Sequence, residues 1–282
     1  MEIDQIKKLR KITGVGILDC KKALSKVGGG IEAAIEWLRT NGIAKAVAKS
    51  GRDTLQGLIA VYTEGLKAVV IEVNSETDFV ARNQKFQDLV RNILELSINY
   101  SNIDQLKQAV MASGHTVELE IKQAIATIGE NINLRRIHQI TVNNGVIGSY
   151  IHNVVADNLG SIAGVVALEC GSVNNELNIL AKKLAMHIVG SKPQFLKITD
   201  ISEDLIEKEK NIISQQVKAP EEFQEKAIAS QLRKWKESVT LEEQVFVMDN
   251  QTKISKLLKQ YSNKIGSDIK IKTFARFELG QN

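Results

Sequence analysis

The strongest constraint on the fold is a pattern of strands and helices that occurs twice. Each copy has two segments rich in β-branched residues that flank a turn, then an amphipathic helix, and later one more strand. The segments lie at 57–63, 66–74, 86–94 and 132–142 in the first copy, and at 146–152, 162–169, 177–185 and 269–279 in the second. This repeat predicts a duplicated α+β body with antiparallel sheets.

The two copies differ in the connection between hairpin and helix. Asn83 lies eleven positions after Glu72, whereas Asn174 lies five positions after Glu169. With these residues aligned, the first copy has six extra residues, within a segment that we name the 75–82 loop. Because the second copy manages without them, we expect the loop to serve function rather than the fold, as strand-to-helix loops often do.

The first fifty residues have a helical pattern instead. Apolar residues at 3, 6, 9 and 12 predict one helix, and Asp19 is a suitable N-cap for a second. Glycines at 28–30 end that helix, and a third apolar face precedes Asn41 and Gly42. These signals predict a compact three-helix unit. A unit this small has little core of its own and is more typical of a binding module than of a catalytic domain.

Charge separates this unit from the rest of the chain. Residues 1–52 contain 11 Lys and Arg against 5 Asp and Glu, whereas the remaining residues contain 26 against 28. A basic unit on a near-neutral body indicates contact with something acidic, either nucleic acid or a protein face. A solvated basic face explains the same counts. Trp37 and Trp235 are isolated, so the sequence does not favour direct nucleic-acid binding by base stacking.

A charged segment at 201–239 interrupts the second copy. Its apolar residues repeat at nearly heptad spacing on both sides of Lys218, Ala219 and Pro220. Proline fits the start of a helix better than its interior. The segment therefore predicts an inserted antiparallel helical hairpin, which either packs on the body or carries a contact surface.

These patterns divide the chain into units. We expect an N-terminal domain and linker at 1–54, a first α+β subdomain at 55–143, a second at 144–200 and 240–282, and the helical hairpin at 201–239.

Composition and missing signatures restrict the function classes. The 282 residues are 43% hydrophobic and 25% charged, as in ordinary globular proteins, and no apolar run approaches the ~20 residues that span a bilayer. Cys20 and Cys170 are far apart in the sequence and belong to no CxxC motif, which favours a reducing, cytoplasmic setting. We also expect no membrane contact. Phosphate-loop, nucleophile-elbow, zinc-protease and paired CxxC motifs do not occur. The sequence therefore predicts an interaction protein with no cofactor and no metal, rather than an enzyme.

Two stretches of the sequence are more specific than composition and periodicity, because each resembles a known family signature. LRKITGVGILDCKKAL at 9–24 and EVNSETDFVARN at 72–83 closely resemble the two signatures of the bacterial elongation factor Ts family. Shorter similarities follow in the same order, at 128–133, 185–187, 191–193 and 246–248. The resemblance covers nearly the whole chain. It implies a ubiquitin-associated-like N-terminal domain, two α+β subdomains and a coiled-coil hairpin.

The resemblance also implies a function in translation elongation. Members of this family are guanine-nucleotide exchange factors that bind elongation factor Tu with GDP, displace its Mg²⁺ ion and promote replacement of GDP by GTP. The residues that dislocate Mg²⁺ would be Thr77, Asp78, Phe79 and Val80. Phe79 would enter an apolar pocket of the GTPase, and Asp78 would compete for polar groups near the ion.

Other positions match the family's partner-binding surfaces. Arg10, Ile17, Leu18 and Lys21 match the N-terminal face, and His152, Val247 and Met248 match contacts of the second subdomain. Ordinary packing is the alternative for each of these residues. For the 75–82 loop the alternative is local: Thr77 or Asp78 caps the next helix, and Phe79 is a core residue.

Two other functions stay open at this stage. A ribosome- or RNA-associated translation protein would use the basic N-terminal unit, and its retention on RNA would depend steeply on salt. An enzyme with an unrecognised site would show turnover of a substrate.

Overall fold

The computed structural model describes residues 3–218 and 220–281, which begin with three helices. Their bounds are α1 Ile3–Thr13, α2 Ile17–Lys26 and α3 Ile31–Lys49. Leu9, Cys20, Leu24 and Ala34 are fully buried between them and form a small separate core.

The body contains seven strands and eight further helices in the described part of the chain. The first unit comprises β1 Gln56–Glu64, β2 Lys67–Ser75, α4 Asp78–Ala81, α5 Gln84–Ser97, α6 Ile103–Gln108, α7 Val117–Ile128 and β3 Ile132–Thr141. The second comprises β4 Gly145–His152, β5 Leu159–Gly160, β6 Ile162–Cys170, α8 Asn175–Ser191, α9 Glu203–Gln216, α10 Glu221–Val239, α11 Ile254–Ile265 and β7 Ile269–Glu278. Short 3₁₀ helices lie at Ile198–Asp200 and Leu241–Glu243.

The strands form two antiparallel sheets, ordered β3-β2-β1-β5 and β4-β6-β7. Apolar side chains of the two sheets pack on each other, among them Val70, Ile140 and Val165. Helices cover the opposite faces, α5 and α7 on the first sheet and α8 and α11 on the second. The prediction of an α+β fold with antiparallel sheets is confirmed.

The strand β5 was not predicted. It lies in the connection between β4 and β6 of the second unit, yet it pairs with β1 of the first, Leu159 opposite Ala60. Leu159 is fully buried in the core beneath the first sheet. The second unit thus contributes a strand and a core residue to the first.

The register of the two hairpins corrects the alignment of the copies. Gly57 lies opposite Asn74 and Gly145 opposite Glu169, with φ angles of +130° and +143°. A Cβ at either glycine would meet the backbone of the facing strand, so neither position accepts a larger residue. Asn74, rather than Glu72, is therefore the counterpart of Glu169. Asn83 follows Asn74 by nine positions and Asn174 follows Glu169 by five, so the first unit has four extra residues, not six.

The expectation that the third helix ends before Asn41 and Gly42 is wrong, because α3 continues to Lys49. Gly42 lies against α7, where a Cβ would come within 2.7 Å of the Ala126 Cβ. This glycine permits close helix packing instead of ending the helix. As a result, Ala46 near the end of α3 is buried in the core of the first α+β unit.

One further local prediction is corrected in the N-terminal unit. The N-cap of α2 is Gly16, and Asp19 lies in the first helical turn. Among the apolar residues of α1, Leu9 is buried, whereas Ile3 and Ile12 are 69% and 56% exposed. Three short helices form a small core, in which only one narrow face of each helix is buried.

The helices α9 and α10 lie between α8 and α11 in sequence, and Pro220 is the N-cap of α10. Ile213 is buried, whereas Ile212 and Phe223 are about half exposed. Across the described residues, no helix combines the length and the apolar character needed to cross a bilayer.

A buried carboxylate joins the last strand to the first sheet. Glu72 on β2 is fully buried and accepts hydrogen bonds from Arg136 Nε at 2.6 Å and from the backbone N–H of Gly280 at 3.1 Å. Arg136 also donates to the carbonyl of Glu278 and lies 4.1 Å above the Phe277 ring. The end of β7 is thereby fixed to the first unit.

Candidate functional site

The 75–82 loop contains the four residues that the second unit lacks. The helix α4 is itself four residues long, Asp78–Ala81, and lies between the end of β2 and the N-cap of α5. That cap is Asn83, whose Oδ1 accepts from the Lys85 N–H at 2.9 Å, as Asn174 Oδ1 accepts from Leu177 in the second unit. Both units therefore start their helix in the same way, and the first presents one extra helical turn before it.

This extra turn exposes an aromatic side chain. Phe79 is 78% exposed and Asp78 is exposed beside it. Thr77 is the N-cap residue of α4, the next helix, although its side chain makes no capping hydrogen bond there. Neither Thr77 nor Asp78 caps α5, and Phe79 is not a core residue. A solitary phenylalanine with this exposure on a short, well-anchored turn is available for burial against a partner.

Val80 differs in its burial from the other three residues that were expected to dislocate Mg²⁺. It is 5% exposed and packs with Ala81 in the core beneath the first sheet. In this structure it cannot reach a partner, because it anchors the turn that carries Phe79. Val80 therefore supports the loop rather than contacting anything outside.

Thr77, at the other end of the turn, is bound to a carboxylate 53 positions away. Its backbone N–H donates to Glu130 Oε2 at 2.9 Å and its hydroxyl donates to Glu130 Oε1 at 2.6 Å. Next to it, Glu76 Oε1 accepts from the backbone N–H of Asn131 at 2.6 Å. That hydrogen bond is the main cause that holds the pKa of Glu76 below its ordinary value, and Arg52 acts in the same direction.

The N-terminal residues expected to contact a partner lie on α1 and α2. Arg10, Ile17, Leu18 and Lys21 are all exposed, Leu18 by 81% and Ile17 by 53%. Neighbouring apolar and basic side chains give this face the mixed character of a protein-binding surface. Ile12, on α1, adds to the exposed apolar area.

The remaining predicted residues lie on the second unit. His152 is exposed at the end of β4, with its Nδ1 3.3 Å from the Tyr150 hydroxyl. Val247 and Met248 are 36% and 45% exposed in the connection before α11. The structure thus distributes the predicted site over three regions: the α1–α2 face, the 75–82 loop and these surface positions of the second unit.

A buried histidine holds the backbone beside Val247. His187 on α8 is fully buried; its Nδ1 accepts from the Val247 N–H at 3.3 Å and its Nε2 lies 3.0 Å from Gln244 Oε1. Accepting at Nδ1 requires the neutral ring with its proton on Nε2. Burial lowers the pKa of His187, which is consistent with that form.

Glu130, Asn131 and His187 are residues that sequence reasoning did not assign. Glu130 and Asn131 lie in one of the short similarities, 128–133, which gives no indication of their contacts. Their contacts join segments far apart in the chain, so spacing gave no signal for them. In the described ranges, 3–218 and 220–281, no three His, Cys, Asp or Glu side chains come together to hold a metal ion.

The chain is similar in sequence to known proteins. The family described as Elongation factor TS matches residues 76–281. Elongation factor Ts of Ehrlichia chaffeensis is 43% identical over 286 aligned positions, which cover 100% of this chain and 99% of that protein. Elongation factor Ts of Rickettsia bellii is 42% identical over 280 positions, with 98% and 91% covered. The chain therefore belongs to the elongation factor Ts family of translation elongation factors.

Proposed function

We propose that this protein is the guanine-nucleotide exchange factor of elongation factor Tu. It binds the GDP-bound GTPase, promotes loss of Mg²⁺ and GDP, and is released when GTP binds. The observation that carries the proposal is the exposed Phe79 on a helical turn that the duplicated second unit does not have. Family membership supports the same function.

The mechanism follows from how a GTPase holds GDP. A phosphate loop and a Mg²⁺ ion bind the diphosphate, and the ion is the largest local charge. Insertion of Phe79 into an apolar pocket beside that site shifts the groups around the ion, and Asp78 attracts hydrogen-bond donors away from it. Loss of the ion weakens GDP binding, so the nucleotide dissociates.

Thermodynamic linkage gives the direction of the cycle. A factor that lowers the affinity of the GTPase for nucleotide must itself be bound less tightly when nucleotide is present. GTP therefore displaces the factor, which is not consumed. The chain performs no covalent chemistry in this cycle and needs no cofactor of its own; it acts as a binding protein in the cytoplasm.

The α1–α2 face and the surface around His152, Val247 and Met248 would hold the GTPase while Phe79 acts. Their exposed apolar side chains supply contact area, and the basic N-terminal unit attracts an acidic partner surface. Spreading the contacts over three regions lets the complex persist after the nucleotide has left.

The direct test uses elongation factor Tu loaded with fluorescent GDP. Adding the protein with excess unlabelled GDP should accelerate the fluorescence change in proportion to its concentration until it saturates. A release rate equal to the spontaneous one at all concentrations would refute the proposal.

A further inference from the structure

The N-cap residue of α4 does not cap the helix with its side chain. Thr77 has the extended backbone of an N-cap residue, but its hydroxyl makes no hydrogen bond to the N–H groups of α4. Threonine at this position ordinarily accepts such a bond and stabilises the helix. Here the hydroxyl donates outwards to Glu130 instead. The turn therefore lacks the stabilisation of a side-chain cap, and Thr77 is instead bonded to a segment that is distant in sequence.

That contact is reciprocal. Glu130 accepts from both the N–H and the hydroxyl of Thr77, while Glu76 accepts from the N–H of Asn131. Two adjacent residues of the 75–82 loop are thus hydrogen-bonded to two adjacent residues of the α7–β3 corner. Charged acceptors make these bonds stronger and shorter than neutral ones. We name this arrangement the corner clamp.

The length of α4 explains why a clamp is needed. A helix of four residues has no intrinsic stability in water. Val80 and Ala81 fix its C-terminal end in the core, whereas the N-terminal end is fixed through Thr77. Phe79 lies between these anchors, so its direction depends on both.

We propose that Glu130 is a positioning residue for nucleotide exchange: it holds Thr77 so that Phe79 projects in the orientation that enters the GTPase. This inference rests on the exchange function proposed above. Glu130 does not contact the nucleotide site in this scheme; it acts only through the geometry of Phe79.

The same corner also fixes the end of the N-terminal unit. Asn131 Nδ2 donates to the Arg52 carbonyl at 2.9 Å, and the Lys49 ammonium donates to the carbonyl of Gly129. The end of α3 and the 75–82 loop are therefore both hydrogen-bonded to one short segment, 129–131.

The test is a double-variant cycle measured as maximal stimulated GDP release. Glu130→Ala should slow release roughly tenfold, because small displacements of an acting group have effects of this size or larger. In a Phe79→Ala background the same change should have less than about a twofold effect, since the side chain that Glu130 positions is then missing. Equal losses in both backgrounds would overturn the proposal, because Glu130 would then act independently of Phe79.

Conservative variants separate positioning from general stability. Thr77→Val keeps the shape of the side chain but loses the hydroxyl bond to Glu130, and it should slow release. Glu118→Ala is the matched control, because this carboxylate lies on α7 and binds Lys122 rather than the loop. An equal loss in Glu118→Ala and Glu130→Ala would contradict a specific role.

Hydrogen exchange of the free protein tests the clamp without any partner. The Thr77 amide should exchange at least several-fold faster in Glu130→Ala, with amides of β2 unchanged. If the wild-type protein does not stimulate GDP release, the proposed function fails, whatever the amide shows. If wild type stimulates release and Phe79→Ala is slow, but Glu130→Ala is fast, only the positioning role of Glu130 is refuted.

Discussion

Replacing Phe79 by alanine tests the proposed function most directly. Burying a phenylalanine completely stabilises a complex by about 1.5–3 kcal/mol. Since 78% of Phe79 is exposed in the free protein, about 1.2–2.3 kcal/mol is available to the GTPase complex. At about 1.4 kcal/mol per factor of ten, Phe79→Ala should slow stimulated GDP release roughly 7- to 50-fold. The assay is release of fluorescent GDP from elongation factor Tu at a saturating concentration of the variant.

Stability measured on the same variant separates an acting side chain from a structural one. An exposed side chain contributes little to the factor's own core, so the free energy of unfolding should change by only about 0.5 kcal/mol. Phe86, seven positions later and fully buried, is the matched control: Phe86→Ala should cost about 3–5 kcal/mol.

A second control uses the equivalent connection of the other unit. Val173 is 54% exposed just before the N-cap of α8, and Val173→Ala should leave release unchanged. If Phe79→Ala instead lowers stability by several kcal/mol while its folded fraction still exchanges at the wild-type rate, Phe79 is structural and the reasoning is refuted.

Three further predictions follow from other parts of the structure. Reversing the exposed charges of Lys7, Lys8 and Lys22 to Glu should slow association with the GTPase about tenfold at low salt and little at high salt; an unchanged stopped-flow rate at low salt would contradict electrostatic steering. Deletion of residues 1–52 would not test the charge alone, because it would also remove Ala46 from the core of the first unit. Replacing residues 206–234 by a short linker should remove helical circular dichroism and leave the sheets folded, whereas global unfolding would show that the α9–α10 hairpin belongs to the core. Burial lowers the pKa of His187 in the folded protein below its ordinary value of 6.5. Below pH 6.5 the unfolded chain therefore binds more protons at this histidine than the folded protein does. The free energy of unfolding, measured in urea, should therefore fall as the pH drops from 6.5 to 5. If the free energy of unfolding of His187→Gln depends on pH as steeply as that of the wild type, this histidine is not the cause.

The duplicated α+β body could be predicted because its signals are local. β-Branched residues at 57–74 and 146–169 pair across short connections, and the helices that follow repeat their apolar spacing. The exposure of Phe79 could be predicted as well, since one copy carries residues that the other lacks. Counting the insertion failed by two residues, because the two glutamates that look equivalent occupy different register positions.

The features that sequence reasoning missed depend on distant contacts. Gly42 is a helix-ending signal unless another helix lies against it, as α7 does here. Thr77 and Glu130 are 53 positions apart, and neither belongs to a motif that predicts their pairing. Ile12 has core spacing on a helix, but the N-terminal unit is too small to cover it. Each of these three features depends on which parts of the chain contact each other in the fold. The periodicity of the sequence does not specify those contacts.

The placement of β5 affects how the body folds and unfolds. Without Leu159 and Gly160, β1 would present an open edge, which invites pairing with another chain, and the core beneath the first sheet would lack a fully buried leucine. A separately expressed first unit would have both defects. The first unit thus reaches its most stable form only after the second has been synthesised, and the two should lose their structure in one cooperative transition instead of two.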